Sequence, residues 1–168
     1  RIQRATVAIV APDAAGDTRM PAMGAGAVIA NTEGFSWIVT CSHVAMPYAA
    51  VSSVRDADKA PDVWVLFADG TQGKGVVRWV GQPPLDVAVV QATHADPPGP
   101  VPVARDTERV AANRPTVFVP NPLRDGWLIH YGRVTRRKTH VTPAGSFALV
   151  HTDLPVQPGD SGSGLFDT

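Results

Sequence analysis

The sequence predicts an all-β fold, a barrel or sandwich of short antiparallel strands, and three observations carry that prediction. Short apolar runs recur along the chain, each bounded by Gly, Pro, Asn or Asp. Sixteen prolines are scattered over 168 residues, and because each fixes φ and lacks a backbone donor, little room is left for long helices. A hydrophobic content of 44% is enough for one sizeable core or for two smaller ones sharing an interface.

Taken in order, strands are expected over residues 5–10, 25–30, 36–40, 63–67, 75–80 and 87–91. Each is rich in Val, Ile and Ala, and Asp69-Gly70 supplies the turn chemistry of a hairpin between the fourth and fifth. Residues 92–102 hold Pro97, Pro98, Pro100 and Pro102 and read as a linker between two halves. Further strands are expected over residues 116–119, 127–136 and 147–152, with a short one near Leu165.

Composition excludes several classes of function. The formal net charge is zero, so electrostatics give no case for binding nucleic acid or an anionic membrane. The basic run at residues 133–138 is read as a solvated strand and turn. No stretch has transmembrane length and no signal peptide is visible; a start at Arg1 suggests a trimmed form. Cys41 is the only cysteine, which excludes an internal disulfide and leaves small-residue packing as its expected role.

Chemistry concentrates near the C-terminal end, in Gly159-Asp160-Ser161-Gly162-Ser163-Gly164. A serine between glycines on a tight turn can present its hydroxyl while the N–H groups of Gly159 and Ser161 point into one concavity, giving a nucleophile beside an oxyanion hole. Such a serine needs a histidine base and an orienting carboxylate, and their chain order separates the folds that build this arrangement. No histidine follows Ser161, and position 163 is Ser, which excludes the Gly-x-Ser-x-Gly elbow of the α/β-hydrolases. The early acids Asp13 and Asp17 lie in a polar loop, which disfavours an order in which Asp comes first.

The order His, Asp, Ser remains. Thr40-Cys41-Ser42-His43-Val44 follows the apolar run Trp37-Ile38-Val39, and Asp86 opens the run Val87-Ala88-Val89-Val90. His94, His130, His140 and His151 have no comparable setting and are expected at the surface or on strand faces. No metal-ligand spacing appears among the histidines.

These motifs, together with Gly24-Ala25-Gly26-Ala27-Val28-Ile29, Leu66-Phe67-Ala68-Asp69-Gly70, Asn121-Pro122 and Thr152-Asp153, make the sequence resemble the trypsin-like serine peptidases. Within them it is most similar to the bacterial HtrA/Deg-like branch. The resemblance implies two antiparallel β-barrels, residues 1–95 carrying His43 and Asp86 and residues 96–168 carrying Ser161. It also implies strands beyond the nucleophile, so the second barrel is expected to be incomplete at its C-terminal end.

The activity implied is hydrolysis of peptide bonds through an acyl-enzyme, on a polypeptide substrate, with neither cofactor nor metal. An extracytoplasmic location in a bacterium goes with it. The oxyanion loop would comprise Gly159, Asp160 and Ser161, and Pro155, Val156, Gln157 and Pro158 would border the first specificity pocket. That segment holds no acid, so an apolar residue is expected before the scissile bond. HtrA-like relatives usually carry Asn where Asp160 stands, and Arg1-Ile2-Gln3 does not resemble the N-terminus that pairs with such an Asp in secreted trypsins. The loop from Pro158 to Ser161 is therefore expected to be incompletely formed. A non-catalytic or partner-activated module with the same fold is the alternative reading.

Overall fold

A computed structural model of the protein describes residues 2–12, 22–47, 56–104, 110–120, 127–142 and 145–167. The expected Asn121-Pro122 motif lies outside them. Six strands form a closed barrel: β1 (Thr6–Ala11), β2 (Ala22–Thr32), β3 (Phe35–Thr40), β4 (Val63–Phe67), β5 (Gln72–Val80) and β6 (Ala88–Thr93). Their order is β1-β2-β3-β6-β5-β4, closed by antiparallel pairing of β1 with β4, so no sheet edge is left open.

Alternation along the strands builds the core. In β4, Val63, Val65 and Phe67 are at most 1% exposed whereas Trp64 between them is 53% exposed, the period of two expected for a strand with one dry face. Val7, Ile9, Val28, Ile38 and Val90 join them with no exposure at all. Each such aliphatic side chain contributes about 1.5–3 kcal/mol on full burial, so the barrel interior is a rigid base for groups at its rim. The Asp69-Gly70 hairpin turn is closed by Gly70 N–H to Phe67 O at 3.0 Å and Phe67 N–H to Thr71 O at 2.9 Å.

The remaining strands, β7 (Pro115–Phe118), β8 (His130–Thr142), β9 (Gly145–Thr152) and β10 (Leu165–Asp167), form a four-stranded antiparallel sheet in the order β10-β7-β8-β9. This is the half-barrel counterpart of the closed first barrel. The basic run falls inside β8, paired with β9 from Val134 to Thr142, and not at a turn. The segment between the two sheets is tied to the barrel: Val101 is 7% exposed and donates its N–H to Val28 O at 2.9 Å.

His94 departs from expectation. It is 7% exposed, with its ring edge-on to Phe67 at 4.0 Å between centroids and Nε2 at 2.8 Å from Thr71 Oγ1. Asp96 N–H donates to Nδ1 at 3.0 Å, so the imidazole joins the hairpin to the start of the linker and is a structural group.

Candidate active site

His43 lies in a one-turn helix, α1 (Ser42–Ala45), that begins where β3 ends. Small residues allow the chain to turn there at the barrel rim: Ser42 and Ala45 are fully buried and the His43 side chain projects outward, 48% exposed. Asp86 precedes β6, the strand paired directly with β3, and the pairing of Thr40 with Ala88 brings the two motifs alongside each other. Adjacency in the sheet thus joins residues 43 positions apart in sequence.

The Asp86 carboxylate is held by three donors. Its Oδ2 lies 2.5 Å from His43 Nδ1, and its Oδ1 accepts the His43 backbone N–H at 3.0 Å and a close hydrogen bond from the Ser42 hydroxyl. Burial pushes the Asp86 carboxyl up, but the bonds from Ser42 and from the His43 ring and backbone outweigh it and hold the group below the ordinary carboxylate value. Asp86 is therefore an anion near neutral pH. An anionic acceptor at Nδ1 fixes the neutral ring as the Nδ1–H tautomer and leaves Nε2 as its basic nitrogen.

Ser161 is positioned from the other side of the rim. Its carbonyl accepts the Ala25 N–H of β2 at 2.7 Å, while the Ala25 carbonyl accepts the Thr40 hydroxyl at 2.6 Å. A side chain on Gly24 would meet both Ser161 O, at 2.7 Å, and Val44, at 2.5 Å, so the serine loop and the histidine helix converge on one spot of β2. Among the described residues no hydrogen bond joins the Ser161 hydroxyl to the His43 ring. The structure thus brings His43 and Asp86 into direct contact and Ser161 to the same corner.

The turn that leads into Ser161 is closed by hydrogen bonds. Asp160 N–H donates to Gln157 O at 3.1 Å, with Pro158 and Gly159 between them and Gly159 at φ +98°. Proline at the second position and a left-handed glycine at the third make a type II turn, which orients the central peptide opposite to that of a type I turn. Asp160 is 3% exposed, and its Oδ2 accepts the Gln157 N–H at 2.8 Å. The carboxylate braces its own turn, so no N-terminal amine is required to close it. Because the Asp160 N–H is engaged, Gly159 and Ser161 are the candidate oxyanion donors of the loop.

Pro155, Val156, Gln157 and Pro158 run along the surface, with Val156 71% exposed. Cys41 is half-buried against the barrel core as expected, but it also adjoins the site. Burial and the neighbouring Asp86 charge push its thiol up to about 11, with the Gly162 N–H acting in the opposite sense. Sequence reading missed the parts of Ser42, Thr40 and Ala25. The available signal was the position of Ser42 directly before His43, from which its hydroxyl reaches Asp86, whereas the Thr40 hydroxyl is spent on the Ala25 carbonyl.

Among the described residues no helix is long and apolar enough to cross a membrane. A family model described as trypsin-like peptidase domain matches residues 24–168. Among solved structures, the chain is similar to an HtrA-type protease, AlgW, with a tripeptide, at 18% identity and a TM-score of 0.72, covering 99% of this chain and 48% of that one. It is also similar to the serine endoprotease from Yersinia pestis, at 18% identity and a TM-score of 0.63, covering 99% and 51%. Identity at this level shows a shared fold, and the chain spans about half the length of both structures. No curated protein matches the sequence.

Proposed function

The chain belongs to the trypsin-like peptidase domain family, and on that premise we propose that it is a serine endopeptidase acting through His43, Asp86 and Ser161. The observation that carries the reading is the contact of His43 Nδ1 with Asp86 Oδ2 at 2.5 Å, at the corner where the serine loop is bonded to Ala25. Nε2 of His43 takes the proton of the Ser161 hydroxyl as the oxygen attacks a peptide carbonyl, and the Asp86 anion stabilises the resulting imidazolium. The N–H groups of Gly159 and Ser161 receive the developing oxyanion, each worth ~3 kcal/mol in the transition state. His43 then returns its proton to the leaving amine, and water releases the acyl group by the same route.

Residues 1–95 and 96–168 act in this reading as the two barrels that flank the cleft, with polypeptide as substrate and an apolar side chain before the scissile bond. The specificity assignment rests on the segment from Pro155 to Pro158, which carries no charged side chain. An extracytoplasmic location accompanies the resemblance to HtrA-like peptidases.

One observation favours a second reading, a module activated by a partner or peptide: the Ser161 hydroxyl makes no hydrogen bond to His43 among the described residues. In resting enzymes such contacts often tighten only when substrate arrives, so the active reading is retained. A serine-reactive phosphonate decides between them. Labelling confined to Ser161 and abolished by Ser161→Ala supports the peptidase; no labelling of a folded protein supports the module.

A further inference from the structure

We propose that Cys41 Sγ, His43 Nδ1 and an Asp86 carboxylate oxygen together form a binding site for a thiophilic divalent cation such as Zn2+, and that occupation of this site switches hydrolysis off. The inhibitory half of this statement rests on the reading of His43 and Asp86 as the catalytic pair; the binding half does not. The candidate ligand atoms, one from each side chain, all lie within 4.8 Å of one another. Thiolate, imidazole and carboxylate in a set of three, with solvent in the fourth position, is a donor combination that zinc accepts. Tetrahedral bonds of about 2.0–2.3 Å place ligand atoms roughly 3.3–3.7 Å apart, so the Nδ1 to Oδ2 contact of 2.5 Å must open by about 1 Å and the other separations, none above 4.8 Å, must settle into that range.

The three ligands come from separate points of a rigid frame. Cys41 follows the last residue of β3, His43 is held by α1, and Asp86 precedes β6, which pairs with β3 along its whole length. Cys41 is half-buried against the barrel core, and its Sγ lies within 4.8 Å of the His43 and Asp86 donor atoms, so a cation held there would sit beside the Asp86 carboxylate. The proposed peptidase mechanism has no use for the Cys41 side chain.

Binding is balanced without any oxidant or reductant. The thiol proton leaves to solvent, the Nδ1 proton moves to Nε2 as the imidazole changes tautomer, and bonds form from the metal to Sγ, Nδ1 and one carboxylate oxygen. One proton is released per cation bound. The protonated Nε2 can no longer accept the Ser161 hydroxyl proton, and the Asp86 charge is neutralised, so the attack step loses its base.

Cd2+ titration of the Ser161→Ala protein, read by the ultraviolet thiolate-to-Cd2+ charge-transfer band, tests binding without any need for activity. The expected result is a band that saturates at one Cd2+ per chain, that Zn2+ displaces, that is absent in Cys41→Ala, and that requires about 10- to 100-fold more Cd2+ in His43→Ala. Absence of the band, or a band unchanged by His43→Ala, overturns the site and leaves an isolated thiol that binds metal by itself. In the protein with Ser161 intact, Zn2+ should suppress peptide hydrolysis reversibly to chelator, and Cys41→Ala should keep basal hydrolysis while losing most of that sensitivity. Equal Zn2+ sensitivity with and without Cys41 overturns the inhibitory role, whereas a saturable band in a protein that hydrolyses no peptide overturns only the peptidase reading.

Discussion

Gly162 lies so close to Ala25 that a Cβ on it would meet the Ala25 carbonyl oxygen at 2.1 Å. One residue earlier, the Ser161 carbonyl accepts the Ala25 N–H at 2.7 Å, so both polar groups of Ala25 face the serine loop or its anchor Thr40. Ser161 is thereby fixed to β2 of the closed barrel, which also supports His43 through β3. Gly162 has φ +88°, a left-handed conformation that costs a side-chain-bearing residue about 1–2 kcal/mol before any clash.

Gly162→Ala should therefore move the loop off β2. Expected are a loss of a few kcal/mol in stability and a fall of about 10²-fold or more in turnover, because a displacement of about 1 Å suffices to misalign a nucleophile. Thermal unfolding and peptide kinetics check the two halves. Wild-type values in both would mean that the Ala25 contact does not position Ser161.

Ser161→Ala makes the opposite pattern. The hydroxyl is only partly buried and the backbone bond to Ala25 survives, so the unfolding temperature should barely change. Turnover should fall by about 10⁴ to 10⁶, since members of a triad act as a unit. A mutant that still hydrolyses peptide at the wild-type rate would remove Ser161 from the mechanism.

Asp86→Asn keeps the shape of the side chain but converts an anion at Nδ1 into a neutral amide, which can favour the wrong imidazole tautomer. Hydrolysis is expected to drop by about 10⁴ with the fold retained. The rate and the circular dichroism spectrum should be measured together. Unchanged kinetics would mean that the close contact of His43 with Asp86 has no catalytic use.

Much of this geometry was legible in the chain, and the exceptions have physical causes. Val63, Val65 and Phe67 alternate with exposed positions, so β4 could be read directly from its period of two. The expected strand over residues 25–30 starts short of the observed β2 because Gly24 looks like a turn residue, whereas it lies within the strand and allows Ser161 and Val44 to approach its backbone. β8 was ended too early because Arg136, Arg137, Lys138 and Thr139 are all exposed and show no alternation; pairing with β9, not a dry face, keeps them extended. The candidate triad was legible because chain order limits the choices. The bond from Ser42 to Asp86 depends on a side-chain direction that no spacing rule encodes.

Ser42→Ala removes one of the donors that hold Asp86 below the ordinary carboxylate value. A carboxylate with a depressed folded-state pKa adds stability that is present above its unfolded pKa, about 3.9, and is lost as pH falls through the folded value. Weakening the depression narrows that window from below. The acid-unfolding midpoint of Ser42→Ala, followed by circular dichroism, should therefore lie at higher pH than that of the unmodified protein, while Ser42→Thr should restore it. Identical midpoints for Ser42→Ala and the unmodified protein would show that the hydroxyl contributes nothing to the carboxylate's ionisation.

Asp160 is buried to 3% exposure with only half of its carboxylate bonded: Oδ2 accepts the Gln157 N–H, and Oδ1 has no hydrogen-bond partner among the described residues. The bonded half closes the turn that carries Gly159, whereas the other half is a desolvated oxygen without a donor. Asp160→Ala removes the acceptor of a part-buried N–H, which costs about 1–3 kcal/mol, and it frees Gly159 to leave its left-handed conformation, so turnover should fall along with stability. Asp160→Asn instead keeps an acceptor for Gln157 and the shape of the side chain, so the turn should stay closed. The pair of variants should thus separate, Ala lowering and Asn holding the unfolding temperature, with hydrolysis retained only by Asn. If Asn proves as damaging as Ala to both, the loop depends on the charge of Asp160, and a cationic partner for Oδ1 must take part in closing it.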